Sequence, residues 1–181
     1  RRDQQSTPLE VPPGRPQPLS DRDDGKWQNK HRNTIKTAYS KAIFFDEYEW
    51  ILDKIYSGNK HNKLSDFNIS VTKLLCEVLD IKCEFINSKN LATSGVKDDK
   101  LIEICKKLDA THYISGPAAK DYIDYDKFSA ANIALEYIHY SYPEYPQLHG
   151  DFNHHVSVLD VIFNCGPDAR NYVLKYDNAY E

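Results

Sequence analysis

A run with almost no polar face, Val156-Ser-Val-Leu-Asp160-Val-Ile-Phe-Asn164-Cys165, limits what this chain can fold into more than any other feature. Ser157 to Asn164 reads as a short helix, and a helix apolar on nearly every side has to be buried, so the remaining chain must enclose it. Gly166 follows, the residue type that accepts a positive φ just past a helix end. Pro167 then stops the helix from running on. Upstream lies Pro146-Gln-Leu-His149-Gly150-Asp151-Phe152, so an imidazole, a carboxylate and a thiol fall within seventeen positions.

The 181 residues are enough for one domain with a substantial core. A net charge of −4 provides no global basic field for nucleic acid or an anionic membrane. No apolar run approaches the ~18 residues of a membrane span, and no signal peptide opens the chain. The four cysteines (76, 83, 105 and 165) lack CxxC spacing, which argues against a zinc ribbon or a disulfide scaffold. Free thiols in a reducing cytoplasm are the expectation. Thirteen Tyr, seven Phe and two Trp point to grooves where rings pack and hydroxyls find partners. The chain has no Met, which reads as a fragment.

Residues 1–25 contain Pro8, Pro12, Pro13, Pro16 and Pro18, a density that no helix survives. An extended or disordered segment is expected there, with an edge strand near Pro8–Val11, ahead of a single α/β domain over 26–181. Lys26 to Lys41 reads as a helix with a thin apolar side (Trp27, Ile35, Ala38) and a basic face. Phe44 to Tyr56 reads as another, ended by Gly58. Ser65 is expected to cap a third, with Phe67, Val71, Leu74, Leu75 and Val78 on its apolar face.

Cys83–Ile86 then reads as a strand, Asp98 as the cap of a helix bearing Leu101, Ile102, Cys105 and Leu108, and His112–Ser115 as a second strand. That order predicts a parallel βαβ unit. Ala134–Tyr140 reads as a third, less regular strand. The expected fold class is α/β, with a small partly parallel sheet and a helix-rich first half.

Three sets of residues carry possible chemistry. Cys165 is a candidate thiolate nucleophile for acyl transfer to an amine, with His149 as its base and Asp160 or Asp151 orienting the imidazole. Against this, a helix C-terminus is the wrong end to depress a thiol pKa, and a free Cys is commonly a small buried hydrophobe. Ser115-Gly116 follows a strand, where parallel sheets bind ligands; its backbone N–H groups, Lys120 and Tyr122 are candidates for a phosphate or carboxylate. An ordinary strand-to-helix turn is the competing reading. Lys30, His31, Arg32 and Lys36, with Trp27, form a basic patch suited to a diphosphate, or simply a solvated face.

His149, Asp151, His154 and His155 offer metal-ligand types, but adjacent His154 and His155 point apart on any regular element, so no metal is expected. No P-loop or GxGxxG is present, and no cofactor is expected. Cys76, Cys83 and Cys105 read as core residues.

Several longer blocks resemble one family. They are Trp27-Gln-Asn-Lys-His31, Tyr39-Ser-Lys-Ala with Phe44-Phe-Asp-Glu-Tyr48, Leu64-Ser-Asp-Phe-Asn68 and Leu101-Ile-Glu-Ile-Cys-Lys-Lys-Leu108. Tyr113-Ile-Ser-Gly-Pro-Ala-Ala-Lys-Asp-Tyr122, Tyr145-Pro-Gln-Leu-His149-Gly and Leu159-Asp-Val-Ile-Phe-Asn-Cys-Gly-Pro167 follow in the same order. Together they resemble the WbqC-like family, bacterial proteins associated with polysaccharide and O-antigen biosynthesis, over roughly residues 17–168. Two departures stand out. Arg32 follows His31 where the family usually has Trp. The family's early strand and its Gln-, Pro- and Tyr-rich loop are expected to lie ahead of Arg1, with Pro8 to Arg15 resembling a degraded strand.

The resemblance implies a cytoplasmic transferase that attaches an acyl or aminoacyl group to a nucleotide-linked amino sugar. The partners it implies are a nucleotide sugar or an acyl donor, with no nucleic acid and no membrane span. On this reading His149 deprotonates the amine or activates Cys165, while Ser115, Gly116 and Lys120 hold the donor. The rival is a non-catalytic sugar-nucleotide or partner-binding module. A metal hydrolase is the third possibility.

Overall fold

The computed structural model describes residues 26–57, 63–138, 140 and 143–174. The chain divides into two compact units, Arg1–Ile81 and Lys82–Glu181. The expected strand at Pro8–Val11 and the expected helix stop at Gly58 lie outside the described residues.

The first unit is helical where it is described: α1 (Lys26–Tyr39), α2 (Phe45–Tyr48), α3 (Trp50–Tyr56) and α4 (Leu64–Val78). The stripe read as one helix over 44–56 forms two. Glu49 keeps right-handed helical dihedrals (φ −55°, ψ −31°), but the Leu52 N–H bonds only three residues back, to the Glu49 carbonyl, which tightens the chain there. Ala42, Phe45, Ile51, Leu52, Ile55 and Leu79 are buried. The thin apolar side of α1 packs through Trp27, edge-on to Tyr56 and Phe67 at 6.5 and 5.8 Å between centroids. Lys63, not Ser65, takes the cap position of α4; Ser65 lies in the first turn with its hydroxyl 3.4 Å from Asp66 Oδ1. The apolar face of α4 is half-buried.

The second unit contains α5 (Lys97–Lys107), β1 (His112–Ser115), α6 (Tyr125–Ala130), β2 (Ala134–Tyr137), α7 (Val158–Cys165) and α8 (Ala169–Val173). Its two strands are parallel, with His112 opposite Ala134 and Ser115 opposite Tyr137. A parallel pair needs a crossover, provided here by a 3₁₀ turn at Pro117–Asp121 and by α6. The fold class is α/β with a small parallel sheet and a helix-rich first half.

The expected strand at Cys83–Ile86 is corrected. That segment is exposed and irregular, and the partner of β1 is β2. Four residues of strand propensity do not make a strand unless an edge and a buried face receive them. Cys83 is therefore exposed rather than a core residue, while Cys105 is buried and Cys76 half-buried.

The sheet packs on a cluster of Ile102, Cys105, Ala119, Ile123, Phe128, Ile133 and Leu135, with Tyr113 stacked on Phe128 at 5.3 Å. Val96, not Asp98, occupies the cap position of α5; Asp98 sits in its first turn, where a carboxylate complements the helix dipole, and accepts the Asp124 N–H at 3.2 Å. Glu103 accepts the N–H groups of Gly95 (3.2 Å) and Ser94 (2.8 Å), which lower its pKa from the ordinary value. Only glycine fits at 95: a Cβ there would come within 2.8 Å of the backbone of Asp99 and Lys100.

In α7 every residue from Leu159 to Cys165 is buried, as a helix apolar on nearly every side must be. Ser157 caps it by accepting the Leu159 N–H at 3.3 Å. Gly166 closes it at φ +52°, ψ −121°, a backbone conformation open to glycine, with its N–H bonded to the Ile162 carbonyl. Pro167 then lies in a 3₁₀ turn, Gly166–Asp168, that leads into α8.

Candidate functional site

A cavity of about 320 Å³ lies within the second unit. Ile138 and Tyr140 enter it from the end of β2, and Val158 and Val161 from α7. Tyr172 and Val173 close it from α8. The remaining wall comes from the loop before α7: Pro143, Tyr145, Phe152, His154, Val156 and Ser157. Tyr145 is its pivot, edge-on to Phe152 at 5.0 Å and to Tyr172 at 5.4 Å. Phe152 is in turn edge-on to the His154 ring at 4.8 Å. Such edge-to-face contacts fix ring orientations and leave a wall of aromatic carbon.

A polar frame holds this wall from behind. The Tyr145 hydroxyl donates to Asp160 Oδ1 at 2.7 Å, and Gln147 Nε2 donates to the same oxygen at 3.0 Å. Gln147 also clasps Asn153 in both directions, donating to its carbonyl (3.1 Å) and accepting its N–H (2.8 Å). Asn153 Oδ1 accepts the His155 N–H at 2.8 Å. Asp160 is buried in the first turn of α7, where the helix dipole favours a carboxylate, and its own carbonyl accepts from Asn164 at 2.9 Å. Burial and the Asp160 carboxylate push the Tyr145 phenol far above its ordinary pKa, so it stays a donor. The Tyr140 hydroxyl donates to the Tyr172 carbonyl at 2.9 Å.

Cys165 is buried at the end of α7. Desolvation first, then the carboxylates of Asp160 and Asp168, raise its pKa to about 11. It is a thiol at neutral pH, the opposite of what a thiolate nucleophile needs. The two donors described on the Asp160 carboxylate are Tyr145 and Gln147, so Asp160 orients the loop. His149 and Asp151 are exposed at the bend around Gly150, and neither lines the cavity. His154, grouped in the sequence with possible metal ligands, does line it. Among the described residues no three His, Cys, Asp or Glu side chains gather as a metal-binding group.

The Ser115 turn borders the same region. Ser115 ends β1, and its carbonyl accepts the N–H of Ile138, a cavity residue, at 2.9 Å. Lys120 lies over the Tyr137 ring at 5.2 Å, and Tyr122 is exposed. Gly116 is extended (φ −75°, ψ 155°) and a Cβ there would meet nothing within 4 Å, so the backbone does not require glycine. The turn goes directly into a 3₁₀ helix.

In the first unit, the basic patch meets carboxylates of its own. Arg32 pairs with Asp53 (2.6 Å) and Glu49 (3.6 Å), and Lys36 with Glu49 (2.7 Å). His31 Nδ1 lies 2.7 Å from the Tyr56 hydroxyl, and Lys30 is exposed.

Sequence reasoning missed the cavity because its lining is Tyr, Phe, Val and Pro spread over 138–173. The density of Tyr in that stretch was the available signal. Among the described residues, no helix is long and apolar enough to cross a membrane.

Comparison with known proteins supports the resemblance. The uncharacterized protein Rv1507c of Mycobacterium tuberculosis is 33% identical over 152 residues, which are 83% of this chain and 66% of that protein, just under two thirds of its length. No solved structure matches the chain. The WbqC-like protein family matches over residues 5–172, a span that takes in most of the proline-rich start as well as both units, and the chain belongs to that family.

Proposed function

We propose that this chain binds an acyl-type group in the cavity before α7 and takes part in transferring it to a nucleotide-linked amino sugar, during bacterial surface-polysaccharide synthesis in the cytoplasm. The observation that carries this reading is the cavity itself, walled by Tyr145, Phe152, Tyr172 and four valines (156, 158, 161 and 173) beside the carboxyl end of the sheet. Concave, apolar, ring-lined sites with a few polar groups are where small molecules bind, and strand carboxyl ends are where α/β folds put them. Ser115, Gly116, Lys120 and Tyr122 border that edge and are suited to the polar part of the donor. Lys30 and His31 lie in the other unit and are proposed as a separate contact for the sugar nucleotide.

With Cys165 held as a thiol, the reaction this reading supports is direct attack of the sugar amine on the acyl carbonyl. The amine nitrogen forms the new amide bond, the bond to the donor's leaving group breaks, and an imidazole takes the amine proton. His149 is the base proposed from sequence. The same protonated thiol favours a second reading, a non-catalytic module that holds the acyl-bearing molecule for another enzyme.

The test is to incubate the chain with acyl thioesters and a nucleotide-linked amino sugar, and to follow the acyl mass increment on the sugar. Val156→Trp, which fills the cavity from an exposed position, should abolish both binding and transfer without lowering the melting temperature. Binding without transfer in the unaltered chain would leave the holding module. Transfer that survives Val156→Trp would remove the cavity from the mechanism.

A further inference from the structure

The lining of the cavity is graded in depth, and its deepest point is one side chain of α7. We infer that Val161 is the floor on which the bound acyl group ends, so that the cavity takes a medium-length acyl group of about ten non-hydrogen atoms and Val161 sets that limit. The inference rests on the acyl-binding reading above.

Three observations carry it. First, exposure falls across the lining. His154, Val156 and Ser157 are exposed, whereas Ile138, Tyr145 and Val158 are half-buried. Among the lining residues Val161 alone is buried, at 5% exposure. An occupant that enters past the exposed loop therefore meets Val161 last.

Second, this floor does not yield. Val161 stands between Asp160, whose carboxylate accepts from Tyr145 and Gln147, and Ile162, which has no exposed surface. With every residue from Leu159 to Cys165 buried, the helix has no solvent side toward which to retreat. A branched Cβ also leaves valine one strongly preferred side-chain conformation in a helix. A flexible residue such as Met would reshape around a longer ligand; a valine held in this way presents a fixed surface.

Third, the size is bounded. The cavity holds about 320 Å³. Taking the ~30 Å³ that a water occupies in the liquid as the share of one non-hydrogen atom, it has room for about ten. An acetyl group would leave most of that space unfilled, and a long fatty chain would protrude from the mouth. Val158, three residues back on the same face of α7, also lines the cavity, while the larger Leu159, Ile162 and Phe163 do not. The helix thus meets the ligand with its smaller side chains. Each methylene buried there raises affinity about fourfold, until the chain reaches the floor.

The experiment is an NMR titration of the full chain with straight-chain primary amides from butanamide to decanamide, which carry no charge. Affinity should rise about fourfold per methylene as far as about octanamide and then stop rising. Val161→Ala should move that limit about one carbon longer, and Val161→Ile about one carbon shorter. Ile162→Val trims the neighbouring buried side chain outside the cavity and should leave the limit in place. Val161→Ile adds its methyl toward open space, so it should keep the melting temperature and decide the question even if Val161→Ala unfolds the chain. A limit that stays put in the folded Val161 variants, or that moves equally in Ile162→Val, overturns this inference and leaves the acyl cavity standing. Affinity that goes on rising to decanamide overturns it too. If no amide binds the unaltered chain, the cavity reading falls and this inference with it.

Discussion

Two stretches of this molecule looked equally rich in chemistry, and the fold treats them in opposite ways. The first helix, α1, carries Lys30, His31, Arg32 and Lys36 and buries none of its residues. Arg32 and Lys36 are met by Asp53 and Glu49, and His31 by Tyr56. The loop before α7 carries Tyr145, Gln147, Asn153 and His154, followed by a helix with seven buried residues. There the polar groups bind one another behind a wall of rings and leave a space in front. A cluster of functional side chains becomes a site only where the fold satisfies them and still leaves room beside them. Charge density alone does not reveal the cavity in the second unit.

The largest effect that sharpens the contrast is in α7. Phe163 has no exposed surface, so Phe163→Ala should cost about 3–5 kcal/mol in denaturant unfolding. Thr34→Ala on exposed α1 should stay within about 0.5 kcal/mol. A loss at Phe163 below about 1 kcal/mol would mean that α7 is not the core its burial indicates. Next comes the frame. Asp160→Ala removes the shared acceptor of Tyr145 and Gln147 and leaves two donors without it, a cost of about 2–3 kcal/mol. Asp160→Asn should cost less, since one oxygen remains. Tyr145→Phe combined with Asp160→Ala should fall short of the sum of the two by about 1 kcal/mol or more, the sign of one shared interaction. Strict additivity would separate the loop from α7.

The same contrast explains what could be read beforehand. The helix over Ser157–Asn164 and its stop at Gly166-Pro167 were legible because burial on every side and a glycine end are local signals. β1 at His112–Ser115 was legible as a short strand-forming run ended by Gly116-Pro117, but its partner was not. Cys83–Ile86 and Ala134–Tyr137 have similar strand propensity, and only packing on Phe128 and Ile133 selects the second. Pairing is decided at long range, which a local pattern does not encode. In the site, His149, Asp160 and Cys165 were singled out by residue type. Asp160 accepts the Tyr145 hydroxyl, a pairing fifteen positions apart and invisible to helical spacing. The cavity was least legible of all, because a void is a property of many side chains together.

The thiols give a smaller, kinetic test of the same contrast. Alkylation near pH 8 should modify exposed Cys83 first, half-buried Cys76 next, and buried Cys105 and Cys165 only on unfolding, as read by peptide mass spectrometry. The folded pKa of Cys165 lies above its unfolded value, so its contribution to stability is fully present below the unfolded pKa. It is lost as pH rises through the interval that ends at about 11. Cys165→Ala should flatten the alkaline fall in stability over that interval. Rapid labelling of Cys165 in the folded chain would contradict the buried thiol and return the nucleophile to consideration.

The smallest effect is expected where the sequence looked most charged. Glu49, half-buried, accepts Lys36 at 2.7 Å and lies 3.6 Å from half-buried Arg32; solvent still reaches all three, and such pairs contribute about 0–1 kcal/mol. Glu49→Gln should therefore barely move the unfolding midpoint, and added salt should erase the difference. Its informative consequence is electrostatic. If the carboxylates of Glu49 and Asp53 are what keep Arg32 and Lys36 from joining Lys30 and His31 on a diphosphate, the unaltered chain should bind inorganic pyrophosphate weakly. The double variant Glu49→Gln, Asp53→Asn should then bind it several-fold more tightly, in a salt-dependent manner, because Arg32 and Lys36 lose their partners. Tight pyrophosphate binding by the unaltered chain, lost in Lys30→Ala, would break the contrast: the proposed nucleotide-sugar contact on α1 would then need neither a cavity nor the release of Arg32 and Lys36. Equal, weak binding in both would instead show that exposed cations on one helix, even when released, do not make a site without a cavity beside them.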